Sequence, residues 1–429
     1  MSWLRQLREA HAVRALRSAN FRLFFAGQGI SVIGTWMTRL ATSWLVYRLT
    51  GSVLMLGVVS FAGQSVSFVL GPVAGVWVDR WERRRLLVMT QAAASLQALL
   101  LAALALAHVA RMWELIALTV AQGVINAFDM PARQAFLVEM VDEREDLANA
   151  IALNSLLANG GRLAGPALAG AVIAMAGEGW CFLIDGLSYL AVIASLLLMH
   201  VCPRERKPQH KGLWDEVSAG WQYVSARGGI RTILLVFALF SLLGYSFTVL
   251  LPAIARETLH GGAQTLGWLS AAAGVGTMLS TLLLTMRRTA LGLPRALLWS
   301  AWMQSVALLL LGASHTLWLS LLAVALAGYG LMQGASACNT ILQSLVSEGK
   351  RTQVMSYYTM AFFGGAPLGS LLLGALAARM GSSAALLLCG VASAVGALWY
   401  GLQRGEVQRA LESAVSTSPA VRKNLEETA

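Results

Sequence analysis

The chain has 429 residues, of which 57% are hydrophobic and only 12% charged, and its formal net charge is +11. A soluble domain carries about 25% charged residues, so this chain lacks the polar surface that a large soluble protein needs. Its arginines and lysines fall in short runs between apolar stretches. That pattern argues against a nucleic-acid-binding face and for loops on the inner side of a membrane.

The first 22 residues carry Arg5, Arg8, Arg14, Arg17 and Arg22 without the apolar core and cleavage site of a signal peptide. They are expected to form a cytoplasmic amphipathic segment. Twelve stretches then reach the length of about 20 apolar residues that a span needs. In chain order they are 23–47, 53–78, 86–108, 113–138, 147–175, 180–200, 230–255, 263–286, 296–314, 316–346, 353–378 and 382–403.

With the N-terminus inside, the outer loops hold Arg48, Arg111, Arg256 and Arg379, and two arginines, Arg39 and Arg162, lie within spans away from their inner ends. All other basic residues fall on the inner side, which sets both termini in the cytoplasm. The expected fold is an all-α membrane protein with twelve transmembrane helices in two six-helix repeats. The expected organisation is an amphipathic segment (1–22), an N-terminal bundle (23–200), a cytoplasmic linker (201–229), a C-terminal bundle (230–403) and a cytoplasmic tail (404–429). Leu213, Val217, Trp221 and Val224 recur at helical spacing in the linker and predict a short helix there.

The halves repeat. "LTGSVLMLGVVSFA" at 49–62 matches "LHGGAQTLGWLSAA" at 259–272 at an offset of 210. Gly160, Gly161, Gly170 and Ala171 recur as Gly364, Gly365, Gly374 and Ala375 at an offset of 204. Two ordered matches at nearly one offset argue for duplication, and two parallel six-span halves form a known transporter layout.

Between spans two and three stands "GVWVDRWERR", residues 75–84, with the pattern G-x-x-x-D-R-x-x-R-R. Gly75 permits close helix approach, Asp79 suits a helix N-terminus, and the arginines can pair with acids on neighbouring helices. Part of the arginine run is inner-loop charge. Span five holds "GRLAGPALAG", residues 161–170, in which Gly161, Gly165 and Gly170 permit tight packing and Pro166 frees a backbone carbonyl.

Both elements resemble the major facilitator superfamily. "SANFRLFFAGQGISVIGTWM", "SWLVYRLTGS", "FDMPARQAFLVEMV" and "LANAIALNSL" are similar to the transmembrane secretion effector subfamily that contains the enterobactin exporters. The resemblance covers spans one to six well and the second half more loosely. It implies that Gly75, Asp79, Arg80 and Arg84 form a cytoplasmic clamp favouring the outward-facing state. It also implies that the span-five element marks an antiporter. The clamp's counterpart in the second half has decayed, with Thr285 and Thr289 where glycine and acid would stand. The superfamily's span-four arginine is replaced by Thr119.

Ionisable groups inside spans default to function. They are Arg39, Asp129, Arg133, Arg162 and Asp185, whereas residues 261–286, 317–347 and 352–378 carry no charge. Asp129 and Arg133 share a helix face, and Asp129 is a candidate partner for Arg80, Arg83 and Arg84; the pair is assigned to the clamp. Arg39, Arg162 and Asp185 are candidates for coupling, for anionic substrate, or for a static ion pair of Asp185 with either arginine. Asn126, Asn159, Tyr357 and Tyr358 are expected to face a cavity.

No metal-ligand spacing and no phosphate loop occur, so the chain is expected to use no metal, no cofactor and no ATP, and not to be an enzyme. The reading is a monomeric secondary exporter of the bacterial inner membrane, working by alternating access and proton antiport on a small molecule, with lipid around it. Siderophore efflux is the first choice and multidrug or antibiotic efflux the alternative. A non-transporting receptor or scaffold is the competing class, and a periplasmic or outer-membrane partner is left open.

Overall fold

The computed structural model describes residues 11–141, 143–200, 222–285, 292–346 and 348–416. Those residues form twelve long helices and no strand. They are α1 (Ala19–Thr50), α2 (Val53–Arg80), α3 (Arg83–Leu106), α4 (Met112–Leu137), α5 (Leu147–Ala176), α6 (Glu178–Leu198), α7 (from Gly228), α8 (Ala263–Thr285), α9 (Leu293–Ala313), α10 (Leu317–Leu345), α11 (Glu348–Met380) and α12 (Ser382–Ser416).

Eleven of these helices are long and apolar enough to cross a membrane. The exception is α1, whose 32 residues give about 48 Å but include Arg22, Arg39 and Arg48. Trp318 and Leu402 are more than 80% exposed, which suits lipid and not water.

Three boundaries depart from the sequence reading. α2 runs through Arg80, so the expected loop between spans two and three shrinks to Trp81 and Glu82. α12 runs on to Ser416, because Val407 and Leu411 continue one apolar face into the core of the second unit, both fully buried. α7 is not regular: an α-helix to Leu239 becomes a π-helix (Phe240–Tyr245), a 3₁₀ segment (Ser246–Leu250) and, after a short turn, a second π-helix (Ile254–Thr258). Pro252 lies between the two irregular segments, and its missing N–H removes one helical hydrogen bond. The linker helix expected at Leu213–Val224 lies, up to Trp221, outside the described residues, as do Arg287, Arg288 and Thr289.

The chain packs into two compact units, Met1–Pro208 with Leu251–Gly274, and Gln209–Leu250 with Val275–Ala429. Each repeats the other's internal joinery. In the first, Ser95 Oγ donates to the Gly186 carbonyl at 2.7 Å, and a Cβ on Gly186 would stand 2.8 Å from Leu99 Cδ2. In the second, Ser305 Oγ donates to the Gly390 carbonyl at 2.8 Å, and a Cβ on Gly390 would stand 2.8 Å from Leu309 Cδ2. The offsets of 210 and 204 relate these residues too, so the duplication inferred from short matches extends to helix packing.

Candidate transport site

The "GVWVDRWERR" stretch is a helix–helix corner. Gly75, Asp79 and Arg80 occupy the end of α2, and Arg83 and Arg84 the first turn of α3. Arg83 reaches α4, donating to the Ala135 carbonyl at 3.2 Å and pairing with Glu139 just beyond the helix. Arg84 reaches the end of α6, donating to the carbonyls of Leu196 and Leu197 at 2.7 and 2.6 Å. A cation there satisfies carbonyls left without helical donors and opposes the negative end of the helix dipole. Arg80 is exposed, and the Glu82–Arg85 pair is an exposed (i, i+3) bridge that contributes little. The close approach expected at Gly75 is not made, because a Cβ there would meet no atom within 4 Å.

Asp129 is 6% exposed. Its carboxylate accepts from Thr90 Oγ1 at 2.9 Å and Gln91 Nε2 at 2.7 Å, both on α3, and pairs with Arg133 one turn on. The (i, i+4) pair is as expected. The expected link to Arg83 is not made, since that arginine is held lower on α4 by Glu139. The result ties α3 to α4 at two levels, by a neutralised carboxylate and by an ion pair.

The span-five glycines sit where another helix leaves no room for a side chain. A Cβ on Gly161 would come 3.2 Å from Trp36 Cδ1, and one on Gly165 would come 3.0 Å from the Ile33 carbonyl. One on Gly170 would come 2.9 Å from the Ala263 carbonyl and 3.0 Å from Gly267 Cα. So α5 is bedded on α1 by two glycines and on the start of α8 by the third. α5 continues unbroken through Pro166. Proline cannot donate to the residue four back, and that carbonyl, on Arg162, faces Gly274 of α8, 3.0 Å from where a Cβ would be.

Arg162 sits at the middle of α5, and its guanidinium lies 5.0 Å from the Trp36 ring centroid. Arg39 lies 4.9 Å from the same centroid. Of the alternatives, the Arg39–Asp185 pair is not formed. Asp185, 1% exposed, faces α1 beside Gly34 and lies 3.5 Å from Thr35 Oγ1, which also lies 3.3 Å from Tyr189 Oη. Successive side chains on α1 diverge by about 100°, so Thr35 serves α6 while Trp36 serves α5. Trp36 gave no signal in the sequence beyond being an aromatic in a span.

In the second unit, Gly365 and Gly369 of α11 seat α7 as Gly161 and Gly165 seat α1: a Cβ on Gly365 would come 2.9 Å from Ser241 Oγ. Beside the π-segment an aromatic cluster forms. Phe237 stacks on Tyr358 at 4.0 Å and on Phe362 at 6.0 Å, and Tyr245 meets Phe362 edge-on at 5.7 Å. Tyr358 donates to the Ala335 carbonyl at 3.1 Å, and Tyr357 packs against the same core. Gln304 Nε2 donates to the Gly244 carbonyl at 3.3 Å inside the irregular stretch. Single-turn π-bulges recur at functional sites, and sequence patterning had marked α7 only as an ordinary span. In the first unit Gln122 donates to Asn126 at 3.0 Å, and both are half-buried, as is Asn159.

A further junction lies at the far end of α1. Tyr47 donates to Glu257 in the last turn of α7, and Arg48 pairs with Glu178 at the start of α6 at 2.7 Å. Both lie in the first unit and join residues far apart in sequence, which sequence reasoning did not pair. Among the described residues no group of His, Cys, Asp and Glu is arranged to hold a metal ion.

The profile of a family described as "Transmembrane secretion effector" matches residues 10–428. A staphyloferrin A transporter of Staphylococcus aureus is 24% identical over 353 residues, covering 82% of this chain and 88% of the relative. An enterobactin exporter of Citrobacter koseri is 24% identical over 393 residues, covering 91% and 92%. Among solved structures, a bacterial homologue of the human lysosomal transporter Spinster, inward-facing and unoccupied, superposes with a TM-score of 0.72 at 16% identity, covering 93% and 98%. A bacterial homologue of the iron transporter ferroportin, inward-facing, gives 0.63 at 17%, covering 88% and 98%.

Proposed function

From the premise that this chain belongs to the transmembrane secretion effector family, and is thus a multi-pass inner-membrane transporter of the major facilitator type and not an enzyme, we propose that it exports a siderophore by proton antiport. The carrying observation is the span-five element. Its three glycines bed α5 on α1 and α8, and in this superfamily that element accompanies antiport. The named cargoes of the two siderophore relatives support the choice of substrate.

Transport follows alternating access. The α2–α3 corner, with Asp79, Arg80 and Arg84, is the inner clamp, and both termini lie in the cytoplasm on the side where the basic residues gather. Arg83 and Arg84 hold the start of α3 to α4 and α6, so α3 moves with them as one body while the end of α2 engages or releases.

Deleting the gene and growing the cells without iron tests this. Siderophore is expected to accumulate inside the deletion strain and to leave it once the gene is restored. Unchanged secretion from the deletion strain refutes the assignment. Drug efflux is the second reading, favoured by the uncharged aromatic cluster of Phe237, Tyr245, Tyr358 and Phe362. It predicts hypersensitivity to dyes and antibiotics with siderophore release intact.

A further inference from the structure

We infer that Asp185 is the group that takes up and releases the coupling proton, and that hydroxyl groups of α1 and α6 hold it in both of its forms. The inference rests on the antiport reading and deepens it by naming the proton carrier. Asp185 is the eighth residue of α6, about 10 Å along the helix from its start. An acid at such a depth is a functional group by default.

Among the described residues no cation pairs with Asp185. α6 packs against α1, α3 and α5. α3 carries no charge beyond Arg85, and the mid-membrane arginines of α1 and α5, Arg39 and Arg162, lie against Trp36. On α6 itself Glu178 pairs with Arg48, and the titratable neighbours are Cys181 and Tyr189, one turn to either side. A static ion pair is therefore not what the acid is kept for.

The groups around Asp185 serve either protonation state. Thr35 Oγ1 lies 3.5 Å from Asp185 Oδ1, 3.3 Å from Tyr189 Oη and 3.1 Å from the Ser31 carbonyl. With its hydrogen given to Ser31, Thr35 can accept from a carboxylic acid; with the O–H bond turned, it donates to a carboxylate. Thr38, one turn on, keeps a buried hydroxyl beside the same carboxyl without closing a hydrogen bond of sound geometry. Asp129 is the contrast. Gln91 Nε2 and the Arg133 guanidinium, which face it, can only donate, so they fit the ionised form alone.

The seat is close. A Cβ on Gly34 of α1 would come 2.8 Å from Asp185 Oδ1 and 3.0 Å from Ser188 Oγ. In each cycle one proton from water on the outer side forms an O–H bond at a carboxylate oxygen. That bond breaks to water on the inner side while cargo travels the other way, and no other reactant is consumed.

The test reads the proton and the transport separately. Full-length protein in lipid nanodiscs is titrated with acid under infrared difference spectroscopy, where a protonated carboxyl shows a carbonyl stretch that a carboxylate lacks. Wild type is expected to show a titrating band that Asp185→Asn loses, that Asp185→Glu keeps at a shifted position, and whose midpoint Thr35→Val moves. Release of siderophore is then measured from the deletion strain carrying each gene, at neutral and at acidic external pH, beside a blot of membrane levels. Wild type and Asp185→Glu should release faster in acid. Asp185→Asn, a fixed mimic of the neutral form, should lose that response.

A spectrum unchanged in Asp185→Asn, or an acid response that this variant keeps, overturns the assignment and leaves antiport standing. Wild-type release that needs the gene but ignores external pH removes antiport, and the carrier with it. Release that does not need the gene removes the siderophore, and loss of the band in Asp185→Asn still upholds Asp185. Should Asp185→Asn fail to reach the membrane, Thr35→Val decides, and a wild-type band and acid response there overturn the assignment.

Discussion

Gly160 and Gly161 are neighbours of the same type on the same helix, yet their environments predict opposite responses to one added methyl group. A Cβ on Gly160 meets nothing within 4 Å. Gly160→Ala should then gain the helix preference of alanine over glycine, about 0.5–1 kcal/mol. A Cβ on Gly161 falls 3.2 Å from Trp36 Cδ1 and 3.3 Å from Val32 Cβ, and closer still to Val32 Cγ1. Overpacking of this kind costs about 1–3 kcal/mol, which outweighs the helix gain. A domain of 150–250 residues shifts its midpoint by about 2–4 °C per kcal/mol; the helix gain is common to both variants, so they should differ by the overpacking cost, roughly 2–12 °C. Cys181, Cys338 and Cys389 are buried and free, so a thiol-reactive dye reports unfolding of detergent-solubilised protein directly. Equal midpoints for Gly160→Ala and Gly161→Ala would refute the claim that α5 is seated on α1 by its glycines. Gly170→Ala separates seating from gating: its Cβ meets α8 at Ala263 and Gly267, so it should impair transport while α5 stays bedded on α1.

Other perturbations follow from named contacts. Asp129→Ala leaves Gln91 and Arg133 without their buried acceptor and should destabilise the protein by about 3–5 kcal/mol, read in the same dye assay; a loss below 1 kcal/mol would mean that water takes the carboxylate's place. Arg84→Ala uncaps the end of α6 and should raise amide exchange beyond Leu196 while leaving α3 protected. Asp79→Asn should reduce export without reducing membrane insertion, measured by transport beside an expression blot, and wild-type export would remove Asp79 from the clamp. Gly75→Ala should raise the thermal midpoint modestly, as Gly160→Ala does, since its Cβ meets no neighbour within α2 either, yet slow the cycle if another state brings a helix against it.

Sequence carried what is local. The α2–α3 corner was placed by its charge burst after an uncharged stretch, and the Asp129–Arg133 pair by its four-residue spacing. The span-five element was found by its glycines, but not their partners, because Val32, Ile33 and Trp36 are ordinary apolar residues of another helix. Arg84 was assigned to a clamp, and the structure shows that it also caps α6. Backbone carbonyls carry no sequence signature, so such an acceptor is invisible until the helices are placed. The end of α12 was set too early because Arg404, Glu406 and Arg409 read as a polar tail, although Val407 and Leu411, four apart, keep one buried face. The irregular course of α7 had a sign in Pro252, but not its π and 3₁₀ character, which depends on packing against α9 and α11.

The repeat separates what this chain needs as scaffold from what it has specialised. Glycines that seat one helix on another recur in both units: 161 with 365, 165 with 369 and 186 with 390. The serine bonds of residues 95 and 305 recur as well. At the same offset of 204, Arg162 corresponds to Ala366 and Asp185 to Cys389. Packing has thus been kept in two copies while mid-membrane charge stands in one. Uniform drift would have loosened the glycine joints of one unit along with its charges, and it has not. Charge has thus been divided unevenly between the units, while the glycine seats have not. The division is testable by placing the charge where it is missing. Ala366→Arg, built on the seat that Gly365 and Gly369 provide, should not restore export to an Arg162→Gln protein if position within the first unit matters. Recovery of export would show that the two units are interchangeable and that the asymmetry is incidental.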